Sequence, residues 1–366
     1  MISALESRID VVLTRENARV VGVSISSSRP QLAQRLLVGN TPEKAVELAG
    51  LMFSLCGKAQ RTAAQAACDA ALDVVPDAAL RQARERAVLI ELALEHAWRL
   101  LLDWPTQAGG GHSPDIETLL SLRKNSADGH LFAETLCNVL MNQMLGESPQ
   151  AWLDRDFNGF MRWMESGQTM LARLFADLSD GQDIGISRVA LLPALQEIDR
   201  DFLDKVAFSA LINPDFCMQP NKSGVVAETG AVSRAQQHPI LSEWISKKGR
   251  GVGARMLARL LELAQVPEVL KSEIKPMVLS LNMNKDVGVA AVETSRGLLI
   301  HVVRVVDAKV ADYQIIAPTE WNFHPQGTLA QSLAVLEADE HLGRHAQMVC
   351  QSLDPCVSYT VEVSNA

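Results

Sequence analysis

Two cysteines have sequence contexts that could support ligand binding. Cys56 is followed by Gly57 at the predicted end of a helix, and Cys356 follows Asp354-Pro355. A backbone can approach a ligand closely beside a glycine or after a proline turn, and thiolates are good ligands for soft metal ions. The alternative is that each cysteine packs in the core as a small hydrophobic residue, which is the commoner environment of a free thiol. The residues alone leave both interpretations open.

Other candidates for chemistry are an arginine and a histidine pair. Arg296 lies between two apolar segments, and a buried arginine there could bind an anion. The alternative, a solvated arginine at a hairpin tip, is the commoner case. His341 and His345 lie four residues apart on a predicted helix and could face one way, but their polar surroundings favour a solvated surface over a metal site. The remaining cysteines are interpreted as core residues: Cys68, Cys137, Cys217 and Cys350.

Composition excludes several classes of protein. The chain has 366 residues, 48% of them hydrophobic, and a net charge of −9. It can therefore bury a large core, and its acidity argues against nucleic acid or an anionic membrane as a partner. It has no CxxC pair, phosphate-binding loop or dinucleotide-binding glycine motif. We expect no membrane span and a cytoplasmic protein, because no long apolar run occurs and the first residues are charged.

The pattern of hydrophobic residues divides the chain into three blocks within a single domain, 1–366. Residues 1–30 alternate as a β-hairpin, 31–284 are helical, and 285–366 combine strands with helix. Because unpaired strand edges are costly, we expect both end blocks to form one small β layer on a bundle of long helices. The predicted class is α+β and mostly helical. Helices are expected from Pro42 to about Leu55, after Gly57, and near 77–103, 115–145, 148–179, 188–210, 236–264 and 327–352.

Five short segments, in order along the chain, resemble the large subunit of nickel–iron hydrogenases. Arg8-Ile9-Asp10 resembles its R-I/V-E-G, and Ser54-Leu55-Cys56-Gly57 resembles R-x-C-G-x-C-x-x-x-H. Glu293-Thr294-Ser295-Arg296-Gly297 resembles E-x-P-R-G, and Pro318-Thr319-Glu320-Trp321-Asn322 resembles P-S/T-x-W-N. Asp354-Pro355-Cys356 resembles the start of D-P-C-x-x-C-x-x-H. Each motif alone is weak, but the ordered set covers nearly the whole length.

The departures from that pattern concern the metal ligands. Ala59 and Tyr359 stand where the family has the two cysteines that bridge nickel and iron. Ala63 and Glu362 replace the motif histidines, and Asp10 replaces a glutamate of the family's proton path. Two thiolates cannot recreate a site of four thiolates. The resemblance therefore implies a relative without nickel and without hydrogen turnover, that is, no enzyme.

With these departures, the chain is identified as a member of the HupK/HoxV family of hydrogenase assembly proteins. That resemblance implies an accessory scaffold that transiently holds an Fe(CN)2(CO) group for transfer to the apo-large subunit of the hydrogenase. It also implies the ligands and the pocket around the diatomic groups. The implied iron ligands are Cys56 and Cys356, and the implied pocket residues are Arg296, Pro318, Thr319 and Asp354.

The same resemblance implies partners and leaves alternatives. The expected partners are the apo-hydrogenase large subunit, a HypC-like chaperone and an iron-group donor of the HypC/HypD type. The main alternative is an assembly chaperone that recognises the hydrogenase by shape and binds no metal group. An active divergent hydrogenase is disfavoured by the altered ligand motifs. A relative of the quinone-pocket subunit of respiratory complex I is disfavoured by the matches at Cys56 and Cys356.

Overall fold

The computed structural model describes residues 8–27, 32–53, 55–107, 116–179, 181–272, 274–284 and 286–366. Two features of the sequence analysis fall partly outside these ranges. They are Ser54 of the first cysteine motif, and residues 1–7 and 28–30 of the predicted hairpin block 1–30.

Strands occur at both ends of the described chain, with two very short ones between. In chain order they are β1 (Arg8–Glu16), β2 (Arg19–Ser27), β3 (Ala190–Leu191), β4 (Ala227–Glu228), β5 (Val278–Asn284), β6 (Val287–Thr294), β7 (Gly297–Val306), β8 (Lys309–Ile316) and β9 (Ser358–Asn365).

Helices fill most of the remainder, which confirms the mostly helical class. They are α1 (Leu32–Leu37), α2 (Pro42–Met52), α3 (Gly57–Ala71), α4 (Ala78–Trp98), α5 (Trp104–Gln107), α6 (Ile116–Asn125), α7 (Gly129–Val139), α8 (Pro149–Leu153), α9 (Phe157–Ser166), α10 (Met170–Asp177), α11 (Arg200–Ile212), α12 (Ala231–Ala235), α13 (Pro239–Lys248), α14 (Val252–Val269), α15 (Pro318–Asn322), α16 (Thr328–Ala334) and α17 (Leu342–Leu353). Arg99–Asp103 and Leu140–Leu145 are π-helical, and Leu195–Glu197 and Pro214–Cys217 are 3-10 turns.

The two ends of the chain meet in one sheet, as the sequence predicts. β1 pairs antiparallel with β2 and parallel with β9, so that the order is β2-β1-β9. The prediction of a single β layer is nevertheless wrong in detail, because β5, β6, β7 and β8 form a separate antiparallel sheet. Because their connections are short, these four strands satisfy one another's backbone hydrogen bonds. The edge of β1 that β2 does not cover then pairs with β9.

Several predicted helices are shorter or divided. The helix expected over 188–210 begins only at Arg200, because Pro193 precedes it and Asp199 caps its first turn. The one expected over 148–179 is three helices, interrupted by the left-handed Gly167 and capped by Asp156 and Thr169. The helices near 236–264 and 327–352 are each divided as well. The segment of β5 was interpreted as helical. It forms a strand because its pairing with β6 outweighs its local pattern.

The core surrounds α14, a helix buried on nearly all sides. Its first turn is fixed by Asp183, whose carboxylate accepts hydrogen bonds from the N–H groups of Gly253 and Ala254 at 2.7 and 2.8 Å. A carboxylate at this end satisfies backbone donors that a helix leaves unpaired. The rigid central helix then holds Arg255 and Arg259 beneath the site described next.

The alanine-rich α3 lies directly on the second sheet. Gly288 of β6 permits this approach, because a Cβ there would lie 2.0 Å from the carbonyl oxygen of Ala67. Small residues on both surfaces therefore bring helix and sheet together. Since Cys56 is the N-cap residue of α3, this packing fixes where its thiol lies.

Candidate functional site

The first cysteine, Cys56, lies at the start of α3 and is partly exposed. Glu91 of α4 closes this end of the helix, because its carboxylate accepts hydrogen bonds from the N–H groups of Lys58 and Ala59 at 2.8 and 2.9 Å. The Nε2 of Gln60 lies 3.8 Å from Cys56 Sγ. The thiol is thus positioned by the helix itself and by a residue one turn along it.

The second cysteine, Cys356, lies between α17 and β9 and is also partly exposed. Its Sγ lies 3.3 Å from the hydroxyl oxygen of Thr319. Thr319 is held by α15, which begins with Pro318 at its first position, a location that suits proline. The Pro318-Thr319 pair expected near the site therefore lies beside one of the two thiols.

The two thiols and Arg296 influence one another electrostatically. Burial, and after it the neighbouring Cys356, raise the pKa of Cys56 to about 12 against the opposing effect of the Arg296 guanidinium. The pKa of Arg296 is lowered by its own burial, but Asp354, Glu95 and the two cysteines together raise it above its usual range. The structure therefore brings together two thiols and a permanent positive charge from three separate segments of the chain.

Arg296 is buried, with 3% of its surface exposed. Its Nη2 lies 2.7 Å from Glu95 Oε2 and 3.4 Å from Asp354 Oδ1. Its Nε and Nη1 are buried and have no hydrogen-bond partner among the described residues. Buried donors are rarely left without acceptors. These two are therefore available to an acceptor that the protein itself does not supply.

Asp354 joins Arg296 to the arginines beneath it. Its Oδ1 lies 2.7 Å from Arg99 Nη2, and its Oδ2 lies 3.4 Å from Arg259 Nη1. Burial raises the pKa of Asp354, but the charges of Arg296, Arg99 and Arg259 outweigh it and hold that pKa below its usual range. Its backbone is left-handed, with φ of 55°. Asp354 therefore orients Arg296 and turns the chain toward Cys356.

A second set of charged groups lies deeper. Arg259 Nη1 lies 3.2 Å from His96 Nδ1, and His96 Nε2 lies 2.9 Å from Glu262 Oε2. Arg234 binds Glu262 through Nε and Nη2 at 2.6 and 2.9 Å. Burial lowers the pKa of His96 to about 4, so this imidazole is neutral at pH 7. The network supports the site from below and does not itself reach the thiols.

The site holds too few ligands to form a metal cage alone. Within the described residues, no group of three or more His, Cys, Asp or Glu side chains is placed to hold a metal ion. His341 and His345 do approach each other, with ring centroids 5.9 Å apart, but have no third ligand in that part of the chain. A metal bound at Cys56 and Cys356 would need to bring most of its ligands with it.

The chain is similar to known proteins over most of its length. The chain is 31% identical to the hydrogenase expression/formation protein HoxV of Cupriavidus necator, over 93% of both chains. The chain belongs to the HoxV/HupK family. A second relative of this family, the hydrogenase expression/formation protein HupK of Rhizobium leguminosarum, is 27% identical over 98% of this chain and 96% of its own. The HoxV/HupK identification made from the motifs is thereby confirmed.

The same comparisons relate this HoxV/HupK chain to hydrogenases. Residues 232–361 match the nickel-dependent hydrogenase family. The reduced, active Ni-Fe-Se hydrogenase of Desulfomicrobium baculatum superimposes with a TM-score of 0.60 at 14% identity, covering 94% of this chain and 95% of that one. An NAD+-reducing [NiFe]-hydrogenase gives 0.56 at 15% identity, covering 94% of each chain. The fold is therefore that of hydrogenase large subunits. The HoxV and HupK relatives support a role for this chain in hydrogenase maturation.

At three of the altered motif positions, the side chains of this HoxV/HupK chain make structural contacts. Ala59 and Ala63 are 1% and 0% exposed and pack in the main core. Asp10 accepts a hydrogen bond from the Thr360 hydroxyl at 2.7 Å and pairs with Arg8 at 2.7 Å. These residues join α3 to the core and β1 to β9.

The other two altered positions lie on β9. Tyr359 is opposite Ile9, and Glu362 is opposite Val12 and exposed. The segment after Cys356 is therefore an edge strand, and Tyr359 packs against the main core. Among the described residues, no helix has both the length and the apolar character needed to cross a membrane.

Sequence reasoning missed three charged residues on α4 and the π-helical turn that continues it. Glu91, Glu95 and Arg99 follow one another at intervals of four, so they share one helix face. Glu91 contacts the start of α3, Glu95 contacts Arg296, and Arg99 contacts Asp354. The available signal was the regular spacing of these three charges, but a solvated helix face shows the same spacing.

Proposed function

We propose that this HoxV/HupK family member is a catalytically inactive scaffold that transiently holds an Fe(CN)2(CO) group and passes it to the apo-large subunit of a nickel–iron hydrogenase. The observation that carries the proposal is the state of Arg296. It is buried beside two thiols, and two of its nitrogen atoms have no hydrogen-bond partner in the described chain. Cyanide nitrogen atoms are acceptors of the kind that would satisfy them.

Charge balance supports the same cargo. Ferrous iron with two cyanides and two thiolates carries a net negative charge, and a buried anion needs both donors and a counter-charge. Arg296 supplies both, and the Thr319 hydroxyl beside Cys356 offers one more donor. Cys56 and Cys356 are the ligands in this proposal, directly or in turn, and Pro318 and Asp354 position Thr319 and Arg296.

The ligand count favours an iron group that arrives preassembled. The diatomic ligands fill three positions on iron, so two thiolates suffice to attach it. A bare ion would find only those two thiols, because the described residues contain no cluster of three metal-ligating side chains. Iron binding also displaces thiol protons, which is needed because burial raises the pKa of Cys56 to about 12.

We further propose that the protein binds no nickel and turns over no hydrogen. Ala59 and Ala63 replace soft or imidazole ligands with buried methyl groups. In this account the partners are the apo-large subunit, a HypC-like chaperone and a HypC/HypD-type donor of the iron group, all in the cytoplasm. Neither nucleic acid nor membrane takes part.

Metal analysis tests the proposal. The protein is purified without oxygen from cells that also produce the hydrogenase maturation proteins, and iron and nickel are measured in parallel. We expect iron bound in proportion to protein, with no nickel. Iron that is equally abundant in a variant lacking both thiols, Cys56→Ala with Cys356→Ala, would contradict the proposal.

One observation favours a second candidate, an assembly chaperone that recognises the large subunit by shape. Among the described residues, the site at Cys56 and Cys356 has two thiols rather than a complete set of metal ligands, and the raised pKa keeps Cys56 protonated at neutral pH. Such a chaperone would bind the apo-large subunit equally well with both thiols replaced. Co-purification of the double cysteine variant with that subunit, together with an absence of iron in the wild type, would identify it.

A further inference from the structure

A hydrogen-bonded chain of buried side chains runs inward from Cys56. Gln60 Nε2 lies 3.8 Å from Cys56 Sγ, and Gln60 Oε1 lies 2.9 Å from His301 Nε2. His301 Nδ1 in turn lies 2.8 Å from the Tyr313 hydroxyl. Gln60 is 3% exposed, and His301 and Tyr313 are both 0% exposed. The partly exposed thiol of Cys56 is thus connected to polar groups in the middle of the second sheet.

The chemistry of each member fixes the direction of the chain. The Gln60 carbonyl oxygen can only accept, so His301 donates to it from Nε2. Burial lowers the pKa of His301 to about 3, so the neutral ring has one N–H and its Nδ1 accepts. Burial also raises the pKa of Tyr313, which keeps its hydroxyl proton and donates it to Nδ1. The NH2 group of Gln60 consequently faces the sulfur of Cys56.

We propose that Gln60 is a positioning residue for Cys56: held in one orientation by His301 and Tyr313, it directs an N–H at the sulfur and sets its donor strength. The proposal rests on the proposed function in so far as Cys56 is an iron ligand. An N–H donor stabilises a thiolate and withdraws electron density from it. Gln60 would then weaken the bond between sulfur and iron, as suits a site that must release its cargo.

The anchoring of this chain is rigid. His301 and Tyr313 lie on the paired strands β7 and β8, with ring centroids 5.6 Å apart and edge to face. α3, which carries Gln60, lies against the same sheet at Gly288. The backbone of Gln60 is fixed by α3 and its amide oxygen is hydrogen-bonded to β7, so its side chain keeps one orientation. A glutamine exposed at the surface would lack that second restraint.

The first test measures the thiol without iron. Gln60→Met keeps the side-chain length and removes the donor. Gln65→Met is the matched control, because Gln65 lies on the same helix and binds Asp69 instead of a thiol. Iodoacetamide reacts with the apo protein at one fixed pH, and mass spectrometry follows the peptide that contains Cys56. A hydrogen bond of ordinary net strength predicts a rate lower by about twofold to tenfold in Gln60→Met and unchanged in Gln65→Met.

The second test uses the loaded protein. Removing the N–H makes the sulfur a stronger donor, so the infrared band of iron-bound CO moves to lower wavenumber in Gln60→Met. Tyr313→Phe provides a second variant should Gln60→Met fold poorly, because it removes one hydroxyl and leaves Gln60 in place. It frees the imidazole to change tautomer and is expected to shift the band in the same direction, by less.

The outcomes separate this proposal from the proposed function. Nitrogen NMR of histidine-labelled protein should show His301 neutral with its proton on Nε2, and a proton on Nδ1 would reverse the chain and overturn the proposal. So would an unchanged alkylation rate and an unchanged CO band in the Gln60 and Tyr313 variants. If the wild type carries no iron group, the proposed function fails, and the alkylation rate and the tautomer still decide the role of Gln60.

Discussion

Thr319 and Cys356 are in contact: the hydroxyl oxygen of one lies 3.3 Å from the sulfur of the other. The two residues come from different elements, α15 and the turn before β9. The hydroxyl is thereby placed beside a thiol that we propose binds iron, where it can serve a cyanide nitrogen. We expect Thr319→Val to fold normally and to lose iron more readily, with shifted cyanide bands in the infrared.

The serine variant is the control for Thr319. Thr319→Ser keeps the hydroxyl and removes only a methyl group. It should retain iron and the cyanide bands as the wild type does. Equal iron loss in the serine and valine variants would show that packing at Thr319 matters and that its hydroxyl does not.

Each of the two cysteines is expected to be needed for iron and dispensable for folding. Both thiols are partly exposed, so alanine in either place should change the free energy of unfolding by about 1 kcal/mol or less. Iron content should fall to background in both variants. Cys137→Ala is the matched control, because Cys137 is also partly exposed and lies on α7. Loss of folding in Cys56→Ala or Cys356→Ala would instead identify a core cysteine.

Replacing Arg296 should separate cargo binding from folding. Arg296→Met removes the buried charge, but Asp354 keeps Arg99 and Arg259 as partners. The destabilisation should therefore stay near about 1–3 kcal/mol, below that of a buried ion left alone. Iron should dissociate faster on dilution. Arg304→Met, whose side chain is 50% exposed, controls for the loss of a charge. Unchanged iron content in Arg296→Met would remove Arg296 from the site.

Stability should depend on pH through His96. Its pKa is lowered to about 4 by burial and by the charge of Arg259, against the opposing effect of Glu262. As pH falls from 6.5 towards 4, the unfolded chain takes up a proton that folded His96 excludes. The wild type should lose at most about 3 kcal/mol of unfolding free energy over this range from that group. Denaturant unfolding at several pH values measures the loss.

Variants isolate the contribution of His96. His96→Gln should show a weaker dependence than the wild type, while His130→Gln, at a side chain that is 73% exposed, should show the same dependence. Glu91 acts in the opposite sense, because burial raises its pKa to about 6 and folded Glu91 gains its proton first as pH falls. The comparison is therefore made between variants that all keep Glu91. An equal dependence in His96→Gln and the wild type would contradict this assignment.

Much of the fold could be predicted where local pattern and pairing agree. The hairpin β1–β2 lies in the block 1–30 that was predicted to form it, and the apolar strands β6 and β7 lie in the block 285–366 that was predicted to contain strands. β5 was missed, because it lies in the segment interpreted as helical and its conformation depends on its pairing with β6. The second sheet was likewise missed, because the partner of a strand edge is chosen by tertiary contacts rather than by the strand's own sequence.

The site was predictable only in part. Motif signals marked five residues that the structure brings together: Cys56, Arg296, Thr319, Asp354 and Cys356. The supporting groups carried none. Glu91 and Gln60 resemble ordinary polar residues of surface helices, and their roles come from long-range contacts with α3 and β7. Only the packing of those elements makes them part of the site.

The infrared spectrum of the protein, purified without oxygen from cells that make the hydrogenase maturation proteins, tests the central claim most directly. Iron-bound CO and cyanide absorb in a window almost free of protein bands. The account predicts one CO band and two cyanide bands, all lost in Cys56→Ala and Cys356→Ala. An empty window from protein shown to be folded would contradict it.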